Sequence, residues 1–186
     1  MRSLLALVLL FLTVAGAAAG DPRTAQLDAN AAAAQRAMVF CRDYAHGWLA
    51  HADPVSGLLP RRLAGENYWN ARDCAADNFP FLLLTARVSG DPYLNRAAAH
   101  IFAQEQALTM RVRSLPDTFD FATQDFLEEE VDTGELLFGA SEYAKDGLMP
   151  AVEWLGPGPY RDRMEGLVRD TWAEAGGLPT GNVEVH

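Results

Sequence analysis

Ala75-Ala76-Asp77, then Pro80, then Gly90-Asp91-Pro92-Tyr93-Leu94-Asn95-Arg96 form a pattern that the chain uses twice. The second copy runs Ala144-Lys145-Asp146, Pro150, then Pro157-Gly158-Pro159-Tyr160-Arg161-Asp162-Arg163. The two aspartates lie 69 residues apart and the two Pro-Tyr-x-x-Arg segments 67 apart. A repeat of that length is one supersecondary unit used twice, which predicts a repeat architecture.

Working outward, residues 24–51 carry Leu27, Ala31, Ala34, Met38, Cys41, Ala45 and Trp48 at alternating steps of four and three, one stripe on a long helix. The small side chains in that stripe favour a packed helix over a coiled-coil seam. Asp53-Pro54 ends it. Residues 53–73 read as a long connection rich in Gly, Pro, Asn and aromatics. A second helix is expected over about 73–88; Pro80 is its difficulty, tolerated if the helix starts near Asp77 so that Pro80 falls in the first turn. Gly90 then suits the C-terminal cap, and Asp91 the N-cap of a third helix over about 92–112. Leu94, Ala97, Ala98, Ile101, Phe102, Glu105 and Leu108 form its inward stripe.

Residues 118–130 are expected to add one or two helical turns. A fourth helix follows over about 134–155, opened by Asp132-Thr133-Gly134, and a fifth over about 159–175. Short turns between long helices make this an all-α chain of helical hairpins.

The first residues carry a different signal. Arg2, the apolar run Leu4–Val14 and the small-residue site Ala17-Ala18-Ala19 predict a signal peptide over 1–20, cleaved after Ala19 or Gly20. A secreted or periplasmic chain over 21–186, with no membrane anchor after cleavage, is the expectation. In that compartment Cys41 and Cys74 form a bridge or stay as two buried thiols; spacing alone does not decide. The net charge of −10 disfavours phosphate backbones, so nucleic acid is not an expected partner. The scattered histidines give no zinc spacing, and neither a metal nor a cofactor is expected.

Chemistry concentrates in two segments. Gly65-Glu66-Asn67-Tyr68-Trp69-Asn70-Ala71-Arg72-Asp73-Cys74-Ala75-Ala76-Asp77 combines aromatic rings that can stack on sugar faces with Asn and Arg donors for hydroxyls. Its Asp73 and Asp77 are spaced i,i+4, on one helix face. The bland reading is a structural loop in which Asp73 serves as an N-cap. Gly139-Ala140-Ser141-Glu142-Tyr143-Ala144-Lys145-Asp146-Gly147 repeats the i,i+4 spacing with Glu142 and Asp146. Alone it is a solvated face with a Glu142–Lys145 pair; the repeat places Asp77 and Asp146 at corresponding points of neighbouring hairpins, where they can face one another across a shared opening. The run Glu128-Glu129-Glu130 reads as solvated surface.

At Tyr68–Leu82 and again at Ser141–Leu148 the chain resembles six-hairpin glycosidase-like proteins, across most of residues 25–182. The resemblance implies an (α/α)6 toroid, of which this chain supplies the N-terminal portion: an incomplete ring of about five helices out of twelve. A truncated product, or a second chain completing the toroid, then follows. The implied ligand is an oligo- or polysaccharide. Hydrolysis would use Asp77 and Asp146 as the acid–base pair, with Asp73 and Glu142 as second choices. Tyr68, Trp69, Asn70, Arg72, Tyr143 and Lys145 would line the sugar site. Two other readings stay open: a polysaccharide lyase-type domain using Tyr68, Tyr143, Lys145 and Arg72, and a non-catalytic scaffold that binds a glycan or a protein.

Overall fold

A computed structural model of the chain describes residues 21–65 and 67–176. The predicted signal peptide, Glu66 and the residues after Gly176 lie outside the described residues. The chain divides into two units, residues 1–39 and 40–186. In the first, the described part is the opening of helix α1 (Pro22–Leu49), where Asp21 Oδ1 accepts from the Arg23 N–H at 3.0 Å.

The second unit is all-α with small β additions. It holds the end of α1 and four further helices: α2, running through Ala71–Asn78 and Phe79–Ser89; α3, Pro92–Thr109; α4, through Thr133–Glu142, Tyr143–Leu148 and Met149–Leu155; and α5, Pro159–Ala175. Asp91 caps α3 by accepting from the Tyr93 and Leu94 N–H groups, and Asp132 caps α4 through Gly134 and Glu135. Gly90 sits at φ 64°, the left-handed turn that lets α2 stop and α3 start two residues later.

The helix holding Asp77 starts at Ala71, earlier than the proline argument predicts. Its first half is wound as a π-helix: the Phe79 N–H donates to the Cys74 carbonyl, five residues back. The same happens in α4, where the Met149 N–H donates to the Ala144 carbonyl. In each case the next residue is proline, Pro80 or Pro150. A proline has no N–H to donate and its ring crowds the carbonyl four residues earlier. Widening the turn before it removes the clash and lets the helix run on. The repeat in the sequence is thus a repeat of one backbone device.

α2 and α4 lie against each other along these wide turns. Ala71, Ala75, Gly139, Ala140, Ala144 and Gly147 are all buried there. A Cβ on Gly147 would stand 2.6 Å from the Ala75 carbonyl oxygen and 2.7 Å from the Tyr143 ring, and one on Gly139 would meet the Ala71 methyl at 3.5 Å. The absence of side-chain bulk at both glycines lets the backbones approach. α3 packs beside α2 and α5 beside α4. Phe79, Phe102 and Tyr160 join α2, α3 and α5, with Phe102 and Tyr160 ring centroids 4.6 Å apart.

The segment around 118–130 is not helical. It forms β4 (Phe119–Asp120) and β5 (Asp125–Phe126), which join β1 (Tyr68–Trp69) in an antiparallel sheet of order β1-β4-β5. β2 (Met110–Val112) and β3 (Leu115–Pro116) form a separate pair. The cause is local: Phe119 and Phe121 are buried on alternate residues, and Asp120 accepts from the Thr123 backbone and hydroxyl to close the turn. Because β1 leads into α2 and β4–β5 lead into α4, this sheet ties the starts of both helices to one end of the unit.

Beneath the crossing lies a buried ion pair. Glu105 of α3 and Arg163 of α5 each expose 3% of the side chain. Arg163 Nε donates to Glu105 Oε2 at 3.2 Å and its Nη2 reaches Oε1, a two-point fork. The Tyr143 hydroxyl donates to the same carboxylate at 3.4 Å.

Gly147→Ala gains about 1 kcal/mol of helix propensity but meets backbone and ring atoms, and overpacking costs up to ~3 kcal/mol, so the net expectation is a loss of ~1–2 kcal/mol. A urea unfolding midpoint at or above that of the wild type would show that the two helices do not approach this closely.

Candidate functional site

Asn70 organises the entry to α2. Its Oδ1 accepts from the Asp73 N–H at 3.0 Å and the Cys74 N–H at 3.2 Å, so Asn70, not Asp73, is the N-cap. Its Nδ2 donates to Asp73 Oδ2 at 2.7 Å. The Arg61 Nε donates to the same oxygen at 2.6 Å. Burial by itself would raise the Asp73 pKa, but the hydrogen bonds from Asn70 and Arg61 and the charges of Arg61 and Arg72 outweigh it and hold the carboxyl below its ordinary value.

One turn on, Asp77 is set the other way. Burial raises its pKa, and the carboxylates of Asp73, Asp146 and Glu142 add to the rise in that order. Among the described residues no side chain donates to it. Acids of both repeats therefore act on one carboxyl. Across the crossing, Lys145 Nζ bridges Glu142 at 2.8 Å and Asp146 at 3.2 Å, contacts that raise the lysine pKa. All four predicted acids are at least partly exposed. Two carboxyls a turn apart, one pushed up and one pulled down, differ in their readiness to hold a proton, which is what acid–base work needs.

Beside this acid group opens a cavity of about 130 Å³, lined among others by Tyr68, Asn70, Arg72, Asp117, Thr118 and Glu135. Arg72 links the two features: its Nη1 donates to Glu135 at 2.7 Å and its Nε stands 3.7 Å from Asp73. The Arg61 guanidinium lies over the Tyr68 ring, 5.9 Å from its centroid.

The structure thus puts Tyr68 and Arg72 at the cavity and Asp73, Asp77, Glu142, Lys145 and Asp146 in one chain of charge contacts, joined to it through Arg72. It places others of the predicted set elsewhere. Trp69 is 2% exposed and Tyr143 1%, both packed in the core, so neither ring offers a free face for a sugar. Trp69 is buried because β1 pairs it with Phe119, and Tyr143 because its hydroxyl is spent on Glu105. Asn70 is buried as the cap, although its edge still lines the cavity. Arg61, Asp117, Thr118 and Glu135 join the site from segments whose sequence gave no such signal. Cys41 and Cys74 are both free, and burial pushes the Cys74 thiol up to about 12, which leaves it unreactive at neutral pH. Among the described residues no three of His, Cys, Asp or Glu are grouped to hold a metal ion. No family model, curated protein or solved structure matches the chain significantly.

Asn70→Ala removes the cap of α2 and is expected to cost about 1 kcal/mol at pH 7. It also removes a donor that keeps Asp73 ionised. A carboxyl held low in the folded state adds stability that is present above its unfolded pKa, about 3.9, and lost as pH falls through the folded value. The deficit of the variant in urea melts should therefore shrink below about pH 4; a deficit that is flat across pH would detach Asn70 from the Asp73 carboxylate.

Proposed function

We propose that this chain is part of an exported carbohydrate-active protein of the six-hairpin, (α/α)6-toroid type, acting as a glycoside hydrolase with an Asp–Asp pair. The observation that carries the reading is Asp77: its pKa is raised partly by acids from the neighbouring repeat, Asp146 and Glu142. Equivalent points of two hairpins then share one mouth, as the inner helix starts of a toroid do.

In this mechanism Asp77 is the general acid, because burial and the neighbouring carboxylates raise its pKa. Asp146, on the facing helix, is the base that activates water. An inverting reaction asks for about 6.5–9.5 Å between the two carboxyls so that water fits. Asp73 stays ionised and keeps Asp77 high. Arg72, Tyr68 and the cavity beside them hold the sugar ring through hydroxyl hydrogen bonds. The lyase reading loses one of its bases, since the Tyr143 hydroxyl faces Glu105 in the core.

A second reading, a non-catalytic scaffold, draws on a different observation. Trp172 is 83% exposed and Val168 54%, neighbours on one face of α5. A face of that kind suits a partner chain that would continue the ring.

With the ring completed, the protein incubated with a panel of glycans should release reducing ends, whereas these residues alone should not. Asp77→Asn and Asp146→Asn should each lower kcat by about 10²–10⁴-fold, the usual share of general acid–base catalysis. Turnover unchanged in both variants would remove the pair from the chemistry, and glycan binding without turnover in the wild type would favour the scaffold.

A further inference from the structure

We propose that the mouth between α2 and α4 takes a glycan without carboxylate or sulfate groups. The inference rests on the carbohydrate reading and names the substrate class of that same site. It is carried by the way each cation that lines the cavity or pairs with the acids around it, among the described residues, is already committed.

Arg61 is held by Asp73 at 2.6 Å, Arg72 by Glu135 at 2.7 Å and Lys145 by Glu142 and Asp146 at 2.8 and 3.2 Å. Arg111 is held by Asp117, a cavity residue, at 2.9 Å and by the Glu128 carbonyl at 2.8 Å. Of these four only Arg72 lines the cavity, and Arg62, next to Arg61, neither lines it nor pairs with these acids among the described residues. Against these four cations stand Asp73, Asp77, Asp117, Glu135, Glu142 and Asp146. Glu128, Glu129, Glu130 and Asp132 line an adjoining open cleft of about 1030 Å³ and add to the same sign.

A uronate or sulfate ester needs a free guanidinium fork or ammonium. Here it would have to displace a protein carboxylate from its partner and leave that carboxylate uncompensated. The surplus of negative charge would also repel it before contact. A neutral sugar meets neither obstacle. A hydroxyl placed at the Arg72–Glu135 pair accepts from the guanidinium and donates to the carboxylate at once. Thr118 adds a group that both donates and accepts, and Tyr68 adds a ring beside them. The excess carboxylates, costly to an anion, are acceptors for hydroxyl protons.

The test uses fluorescently labelled hexasaccharides in pairs that differ only at C6: β-1,4-glucan against its uronate, β-1,4-mannan against mannuronan and α-1,4-linked galactan against galacturonan. Binding to the whole protein is read by anisotropy at low salt, where the field of the mouth is least screened. For whichever backbone binds, the neutral member should bind at least ~10-fold tighter. Glu135→Gln removes the nearer charged partner of Arg72 and one negative charge, so it should narrow that ratio by strengthening the uronate. A uronate that binds more tightly than its neutral twin would overturn the proposal and leave the carbohydrate reading standing. Binding to none of the six would overturn both.

Discussion

The approach of α2 and α4 at Gly147 sets the geometry on which the rest depends. Its backbone lies against the Ala75 carbonyl so closely that a methyl group would not fit. Two helices meet at this separation only where small residues line both. Ala71, Ala75, Gly139 and Ala144 supply the other positions. The consequence is electrostatic. Asp146 precedes Gly147 and Asp77 lies two residues beyond Ala75, near enough for the Asp146 charge to act on Asp77. The site is therefore a by-product of packing: the residues that touch are apolar and small, and the acids flank them.

Three features hold that crossing in place. The sheet of β1, β4 and β5 ties the entries of both helices to one end. The π-wound turns let each helix pass its proline without ending. The Glu105–Arg163 fork, with the Tyr143 hydroxyl, anchors α3, α4 and α5 beneath them. Burial pushes the Glu105 carboxyl up while Arg163 pulls against it, so its charge depends on an intact fork. Removing one member of such a pair leaves an uncompensated buried group and costs about 3–5 kcal/mol, more than most surface contacts could return.

Much of this was legible in the residues. The helix starts at Asp91 and Asp132, the stop at Gly90 and the limits of α5 follow from caps, glycines and prolines. The repeat put Asp77 and Asp146 at corresponding points of α2 and α4. Three features did not. The β4–β5 hairpin hides in a stretch dominated by acids, although Phe119 and Phe121 alternate as strand residues do. The early start of α2 was masked by Pro80, because a π-turn that absorbs a proline leaves no mark of its own. The fates of Trp69 and Tyr143 depended on tertiary partners, Phe119 and Glu105, distant in sequence. An aromatic ring looks the same in a sequence whether it faces a ligand or the core. Glu105 stood on an apolar stripe, and that misfit was the available sign that it needed a buried cation.

The account stands on Asp77 and Asp146 facing one opening, and the titration of the Asp77 carboxyl carbon by NMR tests this most directly. In the wild type Asp77 should titrate above the ordinary aspartate value, and in Asp146→Asn it should move down, because a nearby negative charge has been removed. An Asp77 that titrates at the ordinary value in both proteins would contradict the shared mouth and the function built on it.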